Sequence, residues 1–326
     1  MAMVMKTDLP MAGNCDLSTI IVNWNTKGLL RNCLKSVYAQ ADGMTFEVLV
    51  VDNGSSDGSA EMVETEFPQA RLLRNIENVG FAKANNQAIE LTNGRYVLLL
   101  NTDTVVLDGA LETMVKSMDQ YPDAGAAGCK LVNEQGALEY SCRSFPRPKV
   151  AFFLNHPWAS VPLGDRWFRD YLLLDWDHNT VRPVDFVTGA CLIVRRECIQ
   201  EVGLLDEAFF MMVEDVDWCY RIRKEGWKIY YVPSAEVIHV KGASYANDAN
   251  GRRMRLEAHR SMIRFFKKHY QTSTVIHFRA FAVVASLLGV LKILLKCGAR
   301  RGCEERMRKE VIHHWTVARL CLGRQV

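Results

Sequence analysis

Two rhythms of apolar and polar residues alternate along the first hundred positions. Residues 18–23, "STIIVN", form an unbroken β-branched and apolar run, the pattern of a strand buried on both faces. Residues 27–40 switch to helical spacing, with Leu29, Leu30, Cys33, Leu34 and Val37 on one stripe. "FEVLVVD" (46–52) predicts a second strand, and "NGSSDGSAEMVETEF" a turn followed by a helix. A short strand at 71–75 leads through "NVGFAKANNQAIEL", a glycine turn opening a helix, to the strand "RYVLLLN" (95–101). Strands alternating with helices predict an α/β fold: a mostly parallel sheet with right-handed crossovers and helices on both faces.

After Pro122 the rhythm changes. "AGAAGCKLVNEQGALEY" predicts short strands around a tight turn at Glu134–Gly136. Residues 143–184 are proline-rich, contain Trp158, Trp167 and Trp176, and follow neither period. A loop of that length reads as a lid or binding loop, although core filling accounts equally well for the tryptophans. "VDFVTGACLIVRRE" predicts a strand interrupted at Gly189.

The C-terminal pattern differs in kind. Between Arg279 and Lys292 lie 12 uncharged residues, fewer than the ~20 that a spanning helix needs. On a helical wheel Phe281, Val284, Leu287, Leu288, Leu291, Leu294 and Leu295 share a face, opposite Arg279, Ser286, Gly289, Lys292 and Lys296. A second segment aligns Met307, Val311, Trp315 and Ala318 amid Arg306, Arg308, Lys309 and Arg319. Amphipathic helices of this composition are expected to lie in an anionic membrane surface; a helix packed on the domain produces the same stripe.

Charge sharpens this division. The net charge is +3, but residues 1–250 hold 23 Lys/Arg against 33 Asp/Glu, and residues 251–326 hold 17 against 4. An acidic body with a basic tail implies two tasks. The ten cysteines form no CxxC pair, which argues against a zinc site. The N-terminal "MAMVMKTDLPMAGNCD" lacks the apolar core of a secretory signal, so reduced thiols and a cytoplasmic location are expected.

Parallel α/β sheets place ligands at the carboxyl ends of their strands. Asn23 to Asn25, Asp52 and Asn101 to Asp103 each follow such a strand. Asp52 suits a hydrogen bond to a base or ribose, and it equally suits an Asx turn before Asn53–Gly54. Asp103 in "LLLNTDT" suits a hard divalent cation held against a diphosphate, whereas Asp108 reads as a helix cap. His239 closes the apolar run "AEVIH", as a satisfied core histidine would. In "FFMMVEDVDWCYRIRKEG" (209–226) an apolar run meets Glu214, Asp215 and Asp217. Either a helix N-terminus, whose dipole favours acids, or a catalytic base accounts for that crowding.

The ordered set "IIVNWN", "VLVVDNGSSDGS", "NVGFAKANN", "LLLNTDT", "VTGACLIVRRE", "GLLDEAFFMMVEDVDWCYRIRKEGWKI" and "VIHVKGAS" resembles the family-2 inverting glycosyltransferases of GT-A fold. Within them it is most similar to bacterial rhamnosyltransferases of cell-surface polysaccharide assembly. The resemblance covers about residues 17–245. It implies an N-terminal extension (1–16), a nucleotide-sugar-binding half (17–122), an acceptor-binding and catalytic half (123–250) and a basic helical tail (251–326). It also implies that Asp52 contacts the nucleotide base, with Asn25, Gly80, Asn85, Asn101 and Thr102 around the donor. Asn101-Thr102-Asp103 stands where the family has Asp-x-Asp, leaving Asp103 to hold Mg²⁺ or Mn²⁺ with His239, 24 residues after Asp215. Asp215 matches the catalytic base, Glu214 and Trp218 fall on the acceptor side, and Asp217 caps or orients the following helix.

The reaction so implied is inverting, metal-dependent transfer of a sugar, L-rhamnose from dTDP-rhamnose, to a saccharide or lipid-linked acceptor at the inner membrane face. UDP-galactose or UDP-N-acetylglucosamine are alternative donors. A nucleotidyltransferase would show a basic glycine-rich loop near the first strand, which "VNWNTKG" does not match. A non-enzymatic membrane-binding protein would leave the acidic, motif-bearing body unexplained. A nucleic-acid binder would do so too, and no aromatic platform for bases is evident.

Overall fold

The computed structural model describes residues 15–40, 43–150, 154, 165–240, 248–297 and 304–323. The N-terminal extension up to residue 14 and Trp158 lie outside the described residues, as do the side chains of Leu295, Lys296 and Arg306. The chain divides into two compact units: one comprises residues 1–145, 176–210 and 214–244, the other 146–175, 211–213 and 245–326.

The first unit carries the predicted alternation: β1 (Leu17–Asn23), α1 (Lys27–Tyr38), β2 (Phe46–Asn53), α2 (Ser59–Glu66), β3 (Arg71–Asn75), α3 (Phe81–Ile89) and β4 (Tyr96–Asn101). All pairings among these four strands are parallel. α1 forms where the spacing demands, burying Leu30, Cys33, Leu34 and Val37. β5 (Thr104–Val106), α4 (Ala110–Gln120) and β6 (Ala124–Val132) follow, and the turn at Asn133–Gly136 returns β6 into β7 (Leu138–Glu139), antiparallel to it. β8 is Cys142–Arg143.

Residues 182–195 hold β9 (Arg182–Val184), β10 (Phe186–Val187) and β11 (Cys191–Arg195). The interruption at Gly189 is a change of sheet: β10 pairs with β8, while β11 runs antiparallel between β4 and β6. With α6 (Arg196–Val202), α7 (Glu214–Lys224) and β12 (Lys228–His239), the main sheet reads β3-β2-β1-β4-β11-β6-β12-β5. The expected division at residue 122 is therefore not a break in the fold, since one sheet and one core run through both halves. Leu17, Leu98, Leu100, Leu131 and Val237 share that core.

In the second unit α5 is Asp165–Leu172, helices α8 (Asp248–His269), α9 (Thr272–Cys297) and α10 (Glu304–Cys321) pack together, and Arg255 pairs with Glu310 at 3.1 Å. Two readings of the tail are corrected here. The charge-free stretch understates α9, whose segment Thr272–Leu294 has a mean hydropathy of 1.9 and is long and apolar enough to cross a membrane, by length and composition only. Ser286 and Gly289, expected on the polar face, instead pack inward with Val275, Phe278, Ala282 and Ala285. Small residues let the helix approach its neighbours there, and the leucine stripe is left outside. Ile276, Val284, Leu287, Leu288, Leu291 and Leu294 are all exposed, Leu287 at 52%.

Candidate active site

The carboxyl ends of β1, β2 and β4 bring buried polar groups together, and such groups are tolerable only when they satisfy one another. Asn23 Nδ2 donates to Asp52 Oδ1 and to Ser55 Oγ, both at 3.1 Å. Thr26 Oγ1 donates to Asn23 Oδ1 at 2.7 Å and lies 3.1 Å from Thr102 Oγ1. Asp52 Oδ2 accepts from Ser55 N at 3.1 Å, so the turn foreseen at Asp52 forms. A carboxylate offers about four acceptor sites, which leaves Asp52 capacity for a ligand donor. Asn25 adopts a left-handed φ of 54°, and its Oδ1 accepts from Ser56 N at 2.8 Å, drawing the two turns into one rim.

Beyond β4, Asp103 is buried and its Oδ1 lies 3.3 Å from His239 Nε2. His239 is thus not an apolar core residue. Its Nδ1 lies 3.0 Å from Glu139 Oε2, which places the imidazole between two carboxylates. Burial opposes a charge on His239, but Asp103 and then Glu139, by hydrogen bond and charge, outweigh it and raise its pKa above the ordinary value. A divalent cation fits the place of the Nε2 proton, with Asp103 supplying oxygen. Among the described residues no group of three His, Cys, Asp or Glu could hold a metal. The donor set therefore suits an ion that shares its coordination with substrate phosphates.

Asp215 stands in the first turn of α7 with Glu214 and Asp217. Its Oδ2 accepts from Gly189 N at 2.9 Å and its Oδ1 from Val216 N at 2.8 Å. Ala190, next to Gly189, accepts from Asn101 N at 3.0 Å. The bend between β10 and β11 thereby ties the carboxylate to the end of β4, two residues before Asp103. Burial raises the Asp215 pKa, and the bonds from Gly189 and Val216 and the charge of Arg143 counter part of that rise. Glu214, 6% exposed, is pushed well above the ordinary carboxylate range by burial and then by the charge of Asp215. Its Oε2 has no hydrogen-bond partner. Burial thus favours the neutral form of both carboxyls, and more strongly that of Glu214, to which the Asp215 charge adds.

Several expected residues also hold the fold. Trp218 is 0% exposed and donates from Nε1 to Gly203 O at 2.9 Å, so it fills the core rather than facing an acceptor. Asp217 lies buried inside α7, where it pairs with Arg221 Nε at 2.9 Å, the orienting rather than the capping half of its expected role. Arg221 in turn donates to Val202 O and Leu204 O. Gly80 has φ 92°, and a Cβ there would stand 2.6 Å from Phe210 O, which also accepts from Phe81 N at 2.7 Å. Asn85 is buried and donates to Phe81 O at 2.9 Å. Asn101 is fixed through its backbone. Trp176 stacks on His178 at 4.3 Å with Arg182 4.2 Å from its ring centre, and Lys149 Nζ lies 3.2 Å over Trp167.

Sequence reasoning missed Asn86, Gly189 and Glu139. Asn86 accepts from Leu205 N at 3.1 Å and donates to Leu205 O at 2.9 Å, clamping the segment that leads to the acid pair. Within that segment Met212 and Val213 have φ of 68° and 73°, a conformation that a β-branched residue adopts only under constraint.

Comparison with known proteins places this geometry. Residues 18–203 match the family described as glycosyl transferase family 2. The chain is 33% identical over 215 residues to an N-acetylglucosaminyl-diphospho-decaprenol L-rhamnosyltransferase of Mycobacterium tuberculosis, covering 62% of this chain and 68% of that one. It is 26% identical over 231 residues to the rhamnosyltransferase WbbL of Escherichia coli K12, covering 68% and 81%. Among solved structures it resembles the mannosyltransferase PcManGT of Pyrobaculum calidifontis, in complex with GDP-Man and Mn²⁺. That match has a TM-score of 0.56 and 16% identity, covering 97% of this chain and 88% of the other. The match over more than half of the chain, on a GT-A sheet whose strand ends gather these acids, identifies the protein as a glycosyltransferase that belongs to glycosyl transferase family 2.

Proposed function

We propose that the protein is an inverting rhamnosyltransferase that transfers L-rhamnose from dTDP-rhamnose to a hydroxyl of a lipid-linked saccharide in cell-surface polysaccharide assembly. The likeness to two rhamnosyltransferases supports the sugar. The observation that carries the mechanism is the tie from Asp215 through Gly189 and Ala190 to Asn101, which holds one carboxylate base beside the strand end bearing Asp103.

Asn25, Asp52 and Thr102 line the donor side. Gly80 and Asn85 act there through the loop and helix start they hold in place. Asp103 and His239 are the residues that would hold Mn²⁺ or Mg²⁺ together with the donor diphosphate, and such a cation would supply charge neutralisation for the leaving group. Asp215 removes the acceptor proton as the hydroxyl oxygen attacks the anomeric carbon on the face opposite the diphosphate. The bond from that carbon to the diphosphate oxygen breaks in the same displacement, and the configuration inverts. Glu214, neutral, donates a hydrogen bond to an acceptor hydroxyl. The exposed leucine stripe of α9 rests on the cytoplasmic face of an anionic membrane, where a lipid-linked acceptor is found.

The test incubates the intact protein with dTDP-rhamnose, UDP-galactose and UDP-N-acetylglucosamine beside a lipid-linked acceptor. Transfer is expected from dTDP-rhamnose with inverted stereochemistry, and preference for a UDP-sugar refutes the donor assignment. Asp215→Asn should bind donor normally while transfer falls by roughly 10²–10⁴. Near-normal transfer by that variant removes Asp215 from the base role.

A further inference from the structure

Glu139 belongs to none of the motifs, yet it contacts the most constrained imidazole in the first unit. It sits on β7, which the turn at Asn133–Gly136 folds back onto β6 so that Glu139 lies opposite Leu131. β12 brings His239 opposite Thr104, the residue after Asp103. These pairings set Glu139 Oε2 at 3.0 Å from His239 Nδ1 while His239 Nε2 faces Asp103 Oδ1 at 3.3 Å. Both the glutamate and the histidine are largely buried.

An ionised carboxylate only accepts hydrogen bonds, so Nδ1 must carry the proton of this pair. Asp103 accepts in the same way from Nε2, so a cation shared with Asp103 would displace the Nε2 proton while the Glu139 bond keeps the proton on Nδ1. Charge gives a second reason. The motif at 101–103 provides one carboxylate, because position 101 is Asn. Glu139 returns a second negative charge to the same site, transmitted through the ring instead of by direct ligation.

We propose that Glu139 is a positioning residue of the cation site, holding His239 as the Nδ1–H tautomer and raising the basicity of Nε2. This rests on the proposal that Asp103 and His239 hold the cation. Outer partners of ligating histidines are worth about 10–100-fold in metal affinity.

The experiment titrates Mn²⁺ into the intact protein with dTDP present, following free Mn²⁺ by electron paramagnetic resonance. Wild type is compared with Glu139→Gln, Glu139→Leu, Asp103→Ala and His239→Ala. Glu139→Leu should weaken Mn²⁺ binding by about 10–100-fold, with dTDP binding in the absence of metal unchanged. Glu139→Gln, which keeps shape and an acceptor but loses charge, should weaken it by about 10-fold, and it carries the test should the leucine variant fail to fold. Nitrogen-15 histidine spectra of the metal-free protein, at a pH where His239 is neutral, should show its proton moving from Nδ1 toward Nε2 in Glu139→Gln and further in Glu139→Leu, since Asp103 still accepts from Nε2. Wild-type Mn²⁺ affinity in the glutamate variants, with Asp103→Ala and His239→Ala impaired, overturns the role of Glu139 and leaves the cation site standing. Equal Mn²⁺ affinity in all five proteins overturns the cation site, and this inference with it.

Discussion

Glu214 and Asp215 are neighbours in one helical turn, yet their surroundings push Glu214 toward the neutral form more strongly than Asp215. Burial raises both, but only Asp215 has backbone donors on both oxygens, so it ionises first and its charge then holds the proton on Glu214. With Asp215 as the proposed base, kcat/KM should fall as pH drops through a value above the ordinary carboxylate range. Glu214→Gln should raise the acceptor KM and leave that acid limb in place, because it exchanges one neutral group for another. A limb that moves with this substitution would mean that Glu214 is charged in the working enzyme. The same shift bears on stability. A pKa raised on folding contributes stability that is complete below the unfolded value and is lost as pH rises through the folded one. Glu214→Gln escapes that loss, so its melting temperature relative to wild type should climb from about pH 5 to about pH 9. A difference that stays flat across the range refutes a buried neutral acid.

At the scale of elements, the acid pair is aimed by a helix on the donor side. The start of α3 holds the segment 205–210 at three points: Asn86 on Leu205, Phe81 N on Phe210 O, and Gly80 leaving room for the Phe210 backbone. The Gly80 backbone, φ 92° and ψ 165°, lies in a region essentially closed to other residues. Gly80→Ala should therefore cost about 1–3 kcal/mol of stability. It should lower the transfer rate more than the donor affinity, because Phe210 leads through strained Met212 and Val213 into Glu214. Chemical denaturation together with donor titration checks both halves. A variant of wild-type stability with donor binding alone impaired would return Gly80 to a nucleoside-contact role.

At the scale of the whole molecule, an acidic body and a basic, leucine-faced tail fit the proposed division between chemistry and membrane attachment. α10 carries Arg308, Ile312, Trp315 and Arg319 along its exposed side, Trp315 at 58%, with exposed Leu322 just past its end, a mixture suited to the headgroup boundary. A second copy of the chain would bring two strongly basic tails together, whereas anionic lipid complements them. The intact protein should float with anionic vesicles and release partly at high salt. Leu287→Lys combined with Leu291→Lys should abolish flotation without lowering the melting temperature, since both side chains already face outward. If that pair instead dissolves a dimer and leaves vesicle binding intact, the stripe is a subunit interface.

The alternation of strands and helices, the polar groups at the strand ends, the acid cluster and the family itself were all legible in the chain. Each is a local matter, written in a period of two or 3.6 residues or in a motif a few residues long. What tertiary structure decided lies between residues far apart in sequence. Glu139 reaches His239 across 100 positions and Asn86 reaches Leu205 across 119, and no periodicity records either pairing. His239 appeared apolar in setting until β7 and the end of β4 supplied its two carboxylates. Trp218 looked like an acceptor platform beside the acids, but its indole packs in the core, where Gly203 O accepts from its Nε1. The leucine stripe of α9 was visible as a stripe, yet its direction was not, because a helix with two apolar faces packs through whichever lets the backbones approach closely. Here the small residues won, and the leucines were left for a partner outside the fold.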